Sequence, residues 1–172
     1  MTQIFDFQTG LNIESASIVK EIADAEDFST VIINASVDGI LTYDSEWRYT
    51  LWSPAMEQIS GLKSADVVGR KIFDVFPFLE EAGMADPIRR SLAGESVRSP
   101  SIPFYVPETG KRGYTEQQNF PLYDEAGEIT GGMAVVRDVT LTKQNLDALA
   151  AKNRVLEARI QELSQTLDQA GP

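Results

Sequence analysis

The residues that usually carry chemistry are nearly missing. The 172-residue chain has no cysteine and no histidine. That excludes a thiolate nucleophile, a cysteine-bound metal or chromophore and a disulfide scaffold. It also excludes a Ser-His-Asp triad, the usual zinc site, a His-ligated haem and a phosphoacceptor histidine. Carboxylates remain, with Glu80-Glu81 and Asp74 the obvious ones. Adjacent helical residues project about 100° apart, so Glu80 and Glu81 make a poor acid–base dyad. The sequence predicts no enzyme, and attention moves to the elements that would build a binding or signalling module.

Charge narrows the partners. Fifteen Lys and Arg stand against 26 Asp and Glu, a formal net charge of −11. A basic stripe is needed to neutralise phosphates, and Arg70-Lys71, Arg89-Arg90 and Lys111-Arg112 are short and scattered. The expectation is no nucleic acid and no anionic membrane as direct partner. No run of eighteen apolar residues and no leader-like N-terminus is visible, so the expected location is cytoplasmic. Lys143, Lys152, Arg154 and Arg159 balance Asp147, Glu157, Glu162 and Asp168, so the acidity lies before residue 141 and a boundary falls near Thr140.

Three zones follow: residues 1–36, 37–140 and 141–172. The first reads as a helix from Asn12, its N-cap, to about Ala35, with Ile18, Ile22 and Ala25 on one stripe that Phe28, Val31 and Ile32 continue. Its polar face is mainly acidic, unlike a membrane-surface or calmodulin-target helix.

The middle zone reads as an α+β domain. Gly39 to Tyr43 and Trp47 to Trp52 form a hairpin around Asp44-Ser45-Glu46. Short helices follow: one opens at Ser53-Pro54 and stops at Gly61, one is capped by Ser64 and ends at Gly69, and one opens at Asp86-Pro87 and ends at Gly94. Val97 to Val106 is a strand whose Pro100 and Pro103 require an edge or a bulge. Gly113 to Tyr123 and Glu128 to Val139 complete a five-stranded antiparallel sheet with helices on one face. Met133 and Val135 alternate with Ala134 and Val136, so both faces of the last strand are apolar. The N-terminal helix is the natural cover for the second face, with the C-terminal helix a further contributor.

The last zone has the clearest pattern. Leu146, Asn153, Ile160 and Leu167 at position a, with Leu149, Leu156 and Leu163 at d, form a coiled-coil seam. Asn153 suits a parallel two-stranded register, and Lys152 at g can meet Glu157 at e of a second copy. A parallel homodimer is expected. The alternative is a single amphipathic helix folded onto the domain. Where strand becomes helix, Asp138, Thr140 or Thr142 can accept from the unpaired N–H groups of the first turn.

The middle zone resembles a PAS domain. Asp38-Gly39-Ile40 with Trp47 to Trp52 resembles the opening hairpin of that family. Ser53-Pro54-Ala55-Met56-Glu57 with Ile59 and Gly61 resembles its N-P-A helix, with Ser where Asn is usual. Val68-Gly69-Arg70, Phe73-Asp74-Val75-Phe76-Pro77 and Leu92-Ala93-Gly94-Glu95 match the central motifs. Phe120-Pro121-Leu122 with Asp124, Gly127 and Gly132, then Arg137-Asp138-Val139-Thr140, match the closing hairpin and terminus. The resemblance implies an N-terminal cap helix, a C-terminal signalling helix, and a relay role for Asp138 and Thr140. It implies an effector such as a histidine kinase, diguanylate cyclase or transcription regulator, in a longer parent or a separate partner. It also implies a pocket between sheet and helices, for which Met56, Ile59, Phe73, Phe76, Phe104, Phe120, Ala134 and Val136 are the candidates. The same residues could equally form a closed core, leaving a ligand-free dimerisation or docking module. Gln117 and Gln118 are candidate polar contacts. The cysteine-linked flavin, cysteine-ester chromophore and His-haem classes are excluded by composition, while a non-covalent ligand, flavin included, stays open.

Overall fold

The computed structural model describes residues 28–170, with side chains through residue 165. Asn12, Ile18, Ile22 and Ala25, and the side chain of Leu167, lie outside the described residues. Residues 28–35 are helical (α1). Then come β1 (Gly39–Asp44), β2 (Tyr49–Trp52), α2 (Pro54–Ser60), α3 (Ser64–Val67), α4 (Ile72–Val75), α5 (Phe78–Glu81) and α6 (Ala85–Leu92). β3 (Val97–Val106), β4 (Lys111–Tyr123), β5 (Ile129–Asp138) and α7 (Thr140–Ala170) follow. The sheet is antiparallel in the order β2-β1-β5-β4-β3, so the proline-bearing β3 sits at an edge. Its pairing shifts between Ser99 and Ile102, around Pro100, which cannot donate to a ladder.

Turn chemistry explains the hairpin. Asp44 Oδ1 accepts from the backbone N–H of Glu46 and of Arg48, both at 2.9 Å. Trp47 belongs to this turn and not to the strand, because its φ of 65° is left-handed. Its ring packs edge-on against Phe73 at 5.4 Å.

Ser53 is the N-cap of α2, accepting from Met56 N at 3.4 Å, and Pro54 follows at the first helical position. The same hydroxyl accepts from Ile40 N at 2.9 Å, so one buried oxygen ties α2 to β1. Gly61 ends the helix in a left-handed conformation (φ 78°), with its N–H on Glu57 O at 2.8 Å. The next helix start differs from expectation. Lys63, not Ser64, occupies the cap position of α3, and the Ser64 N–H donates to Glu57 Oε1 at 2.8 Å. Glu57 Oε2 meets Lys63 Nζ at 2.8 Å, and these bonds hold its carboxyl below the ordinary range. The apolar stretch after Lys71 forms α4 and α5, two short helices not anticipated from sequence.

The core lies between the inner sheet face and these helices. Tyr49 meets Trp52 edge-on at 5.0 Å, and Trp52 stacks on Phe76 at 5.9 Å. On the outer face Met133 and Val135 are half-buried, and Phe28, Val31 and Ile32 of α1 are exposed. The C-terminal helix does not cover that face either, since every residue from 144 to 165 is exposed.

Replacing Ser53 with Ala removes the acceptor of two backbone donors at once. A loss of about 2 kcal/mol is expected, from the cap and one stranded N–H together. Urea unfolding of Ser53→Ala beside the parent checks it, and an unchanged midpoint contradicts the double role.

Candidate ligand pocket and strand-to-helix junction

A cavity of about 60 Å³ opens between the inner sheet face and α2, α4 and α5. Of the candidate residues, Met56, Ile59, Phe76, Phe104 and Val136 are on its wall, together with Gln117. Three candidates are not. Phe73 faces the groove beside Trp47. Phe120 pairs with Met133 on the outer face, because β4 turns Thr115, Gln117 and Asn119 inward. Ala134 is buried on the inner face, opposite Leu41 and Asn119, away from the cavity. Gln118 points outward and is exposed. Sequence reasoning missed Leu41, Tyr49, Trp52 and Thr115 on the wall. Alternation along β1, with Leu41 and Tyr43 inward and Trp52 opposite Leu41, was the available signal.

The wall carries no Asp, Glu, Lys or Arg. Burial pushes the Tyr49 phenol up, and Tyr43 likewise against the opposing bond to Ser91, so both are neutral at physiological pH. At roughly 15 Å³ per water-sized group, the cavity has room for about four such groups. Among the described residues no group of acidic side chains is placed to hold a metal.

The second functional feature is the start of α7. Asp138 Oδ1 accepts from Thr140 N at 2.8 Å, a local cap. Thr140 does something else: its Oγ1 accepts from Tyr114 N on β4 at 2.9 Å. Tyr114 O accepts from Val139 N, also at 2.9 Å. Both backbone groups of Tyr114 are thus bound by the junction, and Lys143 Nζ lies 5.8 Å from its ring. Gly113 permits this approach, because a Cβ there would collide with the Thr140 hydroxyl. Beyond this first turn the described residues of the helix are exposed. Leu146, Leu149, Asn153, Leu156, Ile160 and Leu163 are all exposed, so the helix is not folded onto its own domain. Arg137 NH2 lies 2.6 Å from Asp38 Oδ2, joining the end of β5 to the start of β1 and holding the Asp38 carboxyl below its ordinary range.

Sheet order, helix placement and exit helix together define a sensory-domain fold, and residues 33–144 match the family model described as PAS fold. The chain belongs to the PAS-fold family. It is 28% identical over 141 residues to a methanogenesis regulatory histidine kinase, FilI, of Methanothrix harundinacea, covering 81% of this chain and 16% of that protein's length. A PAS domain from Colwellia psychrerythraea aligns with TM-score 0.54 and 20% identity, covering 72% of this chain and 98% of that one. A domain of a sensor histidine kinase/response regulator from Geobacter sulfurreducens aligns at 0.55 and 17% identity, covering 68% and 96%.

Gly113→Ala is expected to push Thr140 off Tyr114 while leaving the sheet paired. The Tyr114 amide should then exchange with solvent at least tenfold faster than its neighbours in β4, as read by hydrogen–deuterium exchange. Unchanged protection would show that the junction does not depend on this close approach.

Proposed function

We propose that the chain is a non-enzymatic sensory module whose copies pair in parallel through α7. The state of its inner-face pocket passes across the β4–α7 junction to an effector. The observation that carries this reading is the contrast within α7, whose first turn is bound to the sheet while its apolar seam is exposed among the described residues. Each seam leucine gains roughly 1–2 kcal/mol on burial, enough for a dimer in the micromolar range, about −8 kcal/mol. Asn153 sits within the seam, where an amide pair restricts register at a cost in stability. Asp138 and Thr140 are the relay residues, since they hold the helix start to its own turn and to β4. The effector is a kinase, cyclase or transcription regulator in a longer parent or a separate partner, and the similarity to a regulatory histidine kinase favours the first. Membrane and nucleic acid are not direct partners in this reading, and the cytoplasm is its place. α1 covers the outer sheet face or joins the dimer, because its Phe28, Val31 and Ile32 are exposed.

The small cavity favours a second reading, a ligand-free assembly module with the same dimer. Native mass spectrometry separates the two, since a retained small molecule selects the sensor. Sedimentation tests the dimer. The intact chain should be dimeric at about 50 µM, and removal of residues 141–172 should weaken it at least about a hundredfold, since every seam residue from Leu146 to Leu167 is lost with it. Asn153→Leu should tighten association and relax register or stoichiometry. A monomeric intact chain at that concentration would overturn the proposal.

A further inference from the structure

Two hydroxyls on the cavity wall have no protein group to bond to. Tyr49 is 2% exposed and Thr115 9%, and both line the cavity. Neither side-chain oxygen makes a hydrogen bond to any of the described residues. Neither is sealed in protein, and the accessible space they border is the cavity. The third wall hydroxyl is different. Ser60 donates to Met56 O at 2.8 Å and accepts from Leu62 N at 3.1 Å. Gln117 makes only a long contact, 3.8 Å, to Met84 Sδ. Asn119 Nδ2 and the Ser99 hydroxyl also lack partners on the inner face, but neither residue lines this cavity.

Thr115 can turn about its first side-chain torsion to another rotamer and another partner. Tyr49 cannot. Its ring is held edge-on to Trp52 at 5.0 Å and to Phe76 at 6.3 Å. The phenol oxygen is therefore fixed in place, and rotation about its C–O bond only re-aims one proton. Burial pushes its pKa up, so the group is an O–H donor at physiological pH. A buried donor without an acceptor is rare and costly, which marks a place for an acceptor atom. Water is a poor occupant. It needs roughly two to four polar partners, and most of this wall is apolar, with Leu41, Trp52, Met56, Phe76 and Val136. An anion is a poor one too, because the wall offers no counter-charge. Size is the last limit, since the cavity has room for about four water-sized groups.

We propose that the pocket takes a neutral molecule of about four non-hydrogen atoms, a short-chain ketone or alcohol. Its oxygen accepts from the Tyr49 phenol while its carbon atoms lie against Trp52 and Phe76. This rests on the pocket reading above and names the chemical class that the pocket takes.

Acetone, cyclohexanone and acetate, titrated into the ¹⁵N-labelled full chain and followed by NMR, test it. Four non-hydrogen atoms at the most favourable efficiency reach a Kd of about 0.05 mM, so millimolar binding is expected. Acetone should move the backbone amides of Leu41, Thr115 and Val136 saturably. Cyclohexanone, too large, and acetate, charged, should each bind at least about tenfold weaker. Tyr49→Phe should melt no lower than the parent, because the hydroxyl it loses has no protein partner. It should bind acetone at least about threefold weaker, the worth of one hydrogen bond. An acetone affinity that Tyr49→Phe leaves unchanged overturns the phenol contact. Cyclohexanone as tight as acetone overturns the size, and acetate as tight overturns the neutral class. Each of these three results leaves the pocket standing. If none of the three compounds moves those amides saturably up to about 100 mM, the limit of very weak association, the cavity holds water alone. The pocket reading then falls and takes this one with it.

Discussion

The register of β4 against β5 is the constraint on which the rest depends. Thr115 faces Asp138, Gln117 faces Val136 and Asn119 faces Ala134. A slip by one residue would turn every side chain of β4 to the other face. Phe120 and Gln118 would then enter the interior, and the amide of Asn119 would leave it. The same strand begins with Gly113 and Tyr114, which receive α7. One alignment therefore sets the chemistry of the cavity floor and the anchorage of the exit helix.

The features legible in the sequence were local ones. Ser53-Pro54 and Gly61 bracket α2 because an N-cap oxygen, a fixed proline φ and a left-handed glycine each act within a turn. Pro100 and Pro103 called for an edge or a bulge in β3 because a missing donor cannot be hidden in a regular central strand. The α7 stripe was readable because its period survives any tertiary context. The candidate site was harder. From Thr115 to Phe120 the chain reads polar at nearly every position, so alternation has no phase, and the only large apolar residue faces out. Hydrophobicity alone therefore placed Phe120 in the pocket. Phe73 was misplaced for a related reason. Trp47, held left-handed in its turn, offers Phe73 an aromatic partner that the sequence does not place nearby. The Glu57 carboxylate that serves Ser64 comes from the preceding helix, beyond the reach of a capping rule applied within three residues.

The interior is more polar than stability alone would select. Tyr43, Ser91 and Asn119 link β1, α6 and β4 through side chains, which fixes how α6 sits on the sheet. Such a network specifies one packing when all its members are satisfied, and costs free energy when one is not. Here the tie between α6 and the sheet is complete, while the side toward Gln117 and Ser99 is not.

In the proposed relay the link between cavity and seam is mechanical. Thr115 lies on the cavity wall, and the next residue toward the strand start is Tyr114, whose N–H and C=O are both held by the junction. In that relay, a ligand that shifts this end of β4 acts on the first turn of α7 through two hydrogen bonds, one backbone to backbone and one to the Thr140 hydroxyl. From Thr140 to Leu163 the helix extends about 35 Å at 1.5 Å per residue. A tilt of about 5° at the junction moves the first turn by roughly half an ångström and Leu163 by about 3 Å, near half of the helical pitch. Packed seams are bistable and do not deform continuously. In the proposed dimer, a displacement of that size is enough to choose between neighbouring packings of Leu156, Ile160 and Leu163. The small cavity is thus no obstacle to signalling, since the length of α7 supplies the amplification that a small ligand cannot.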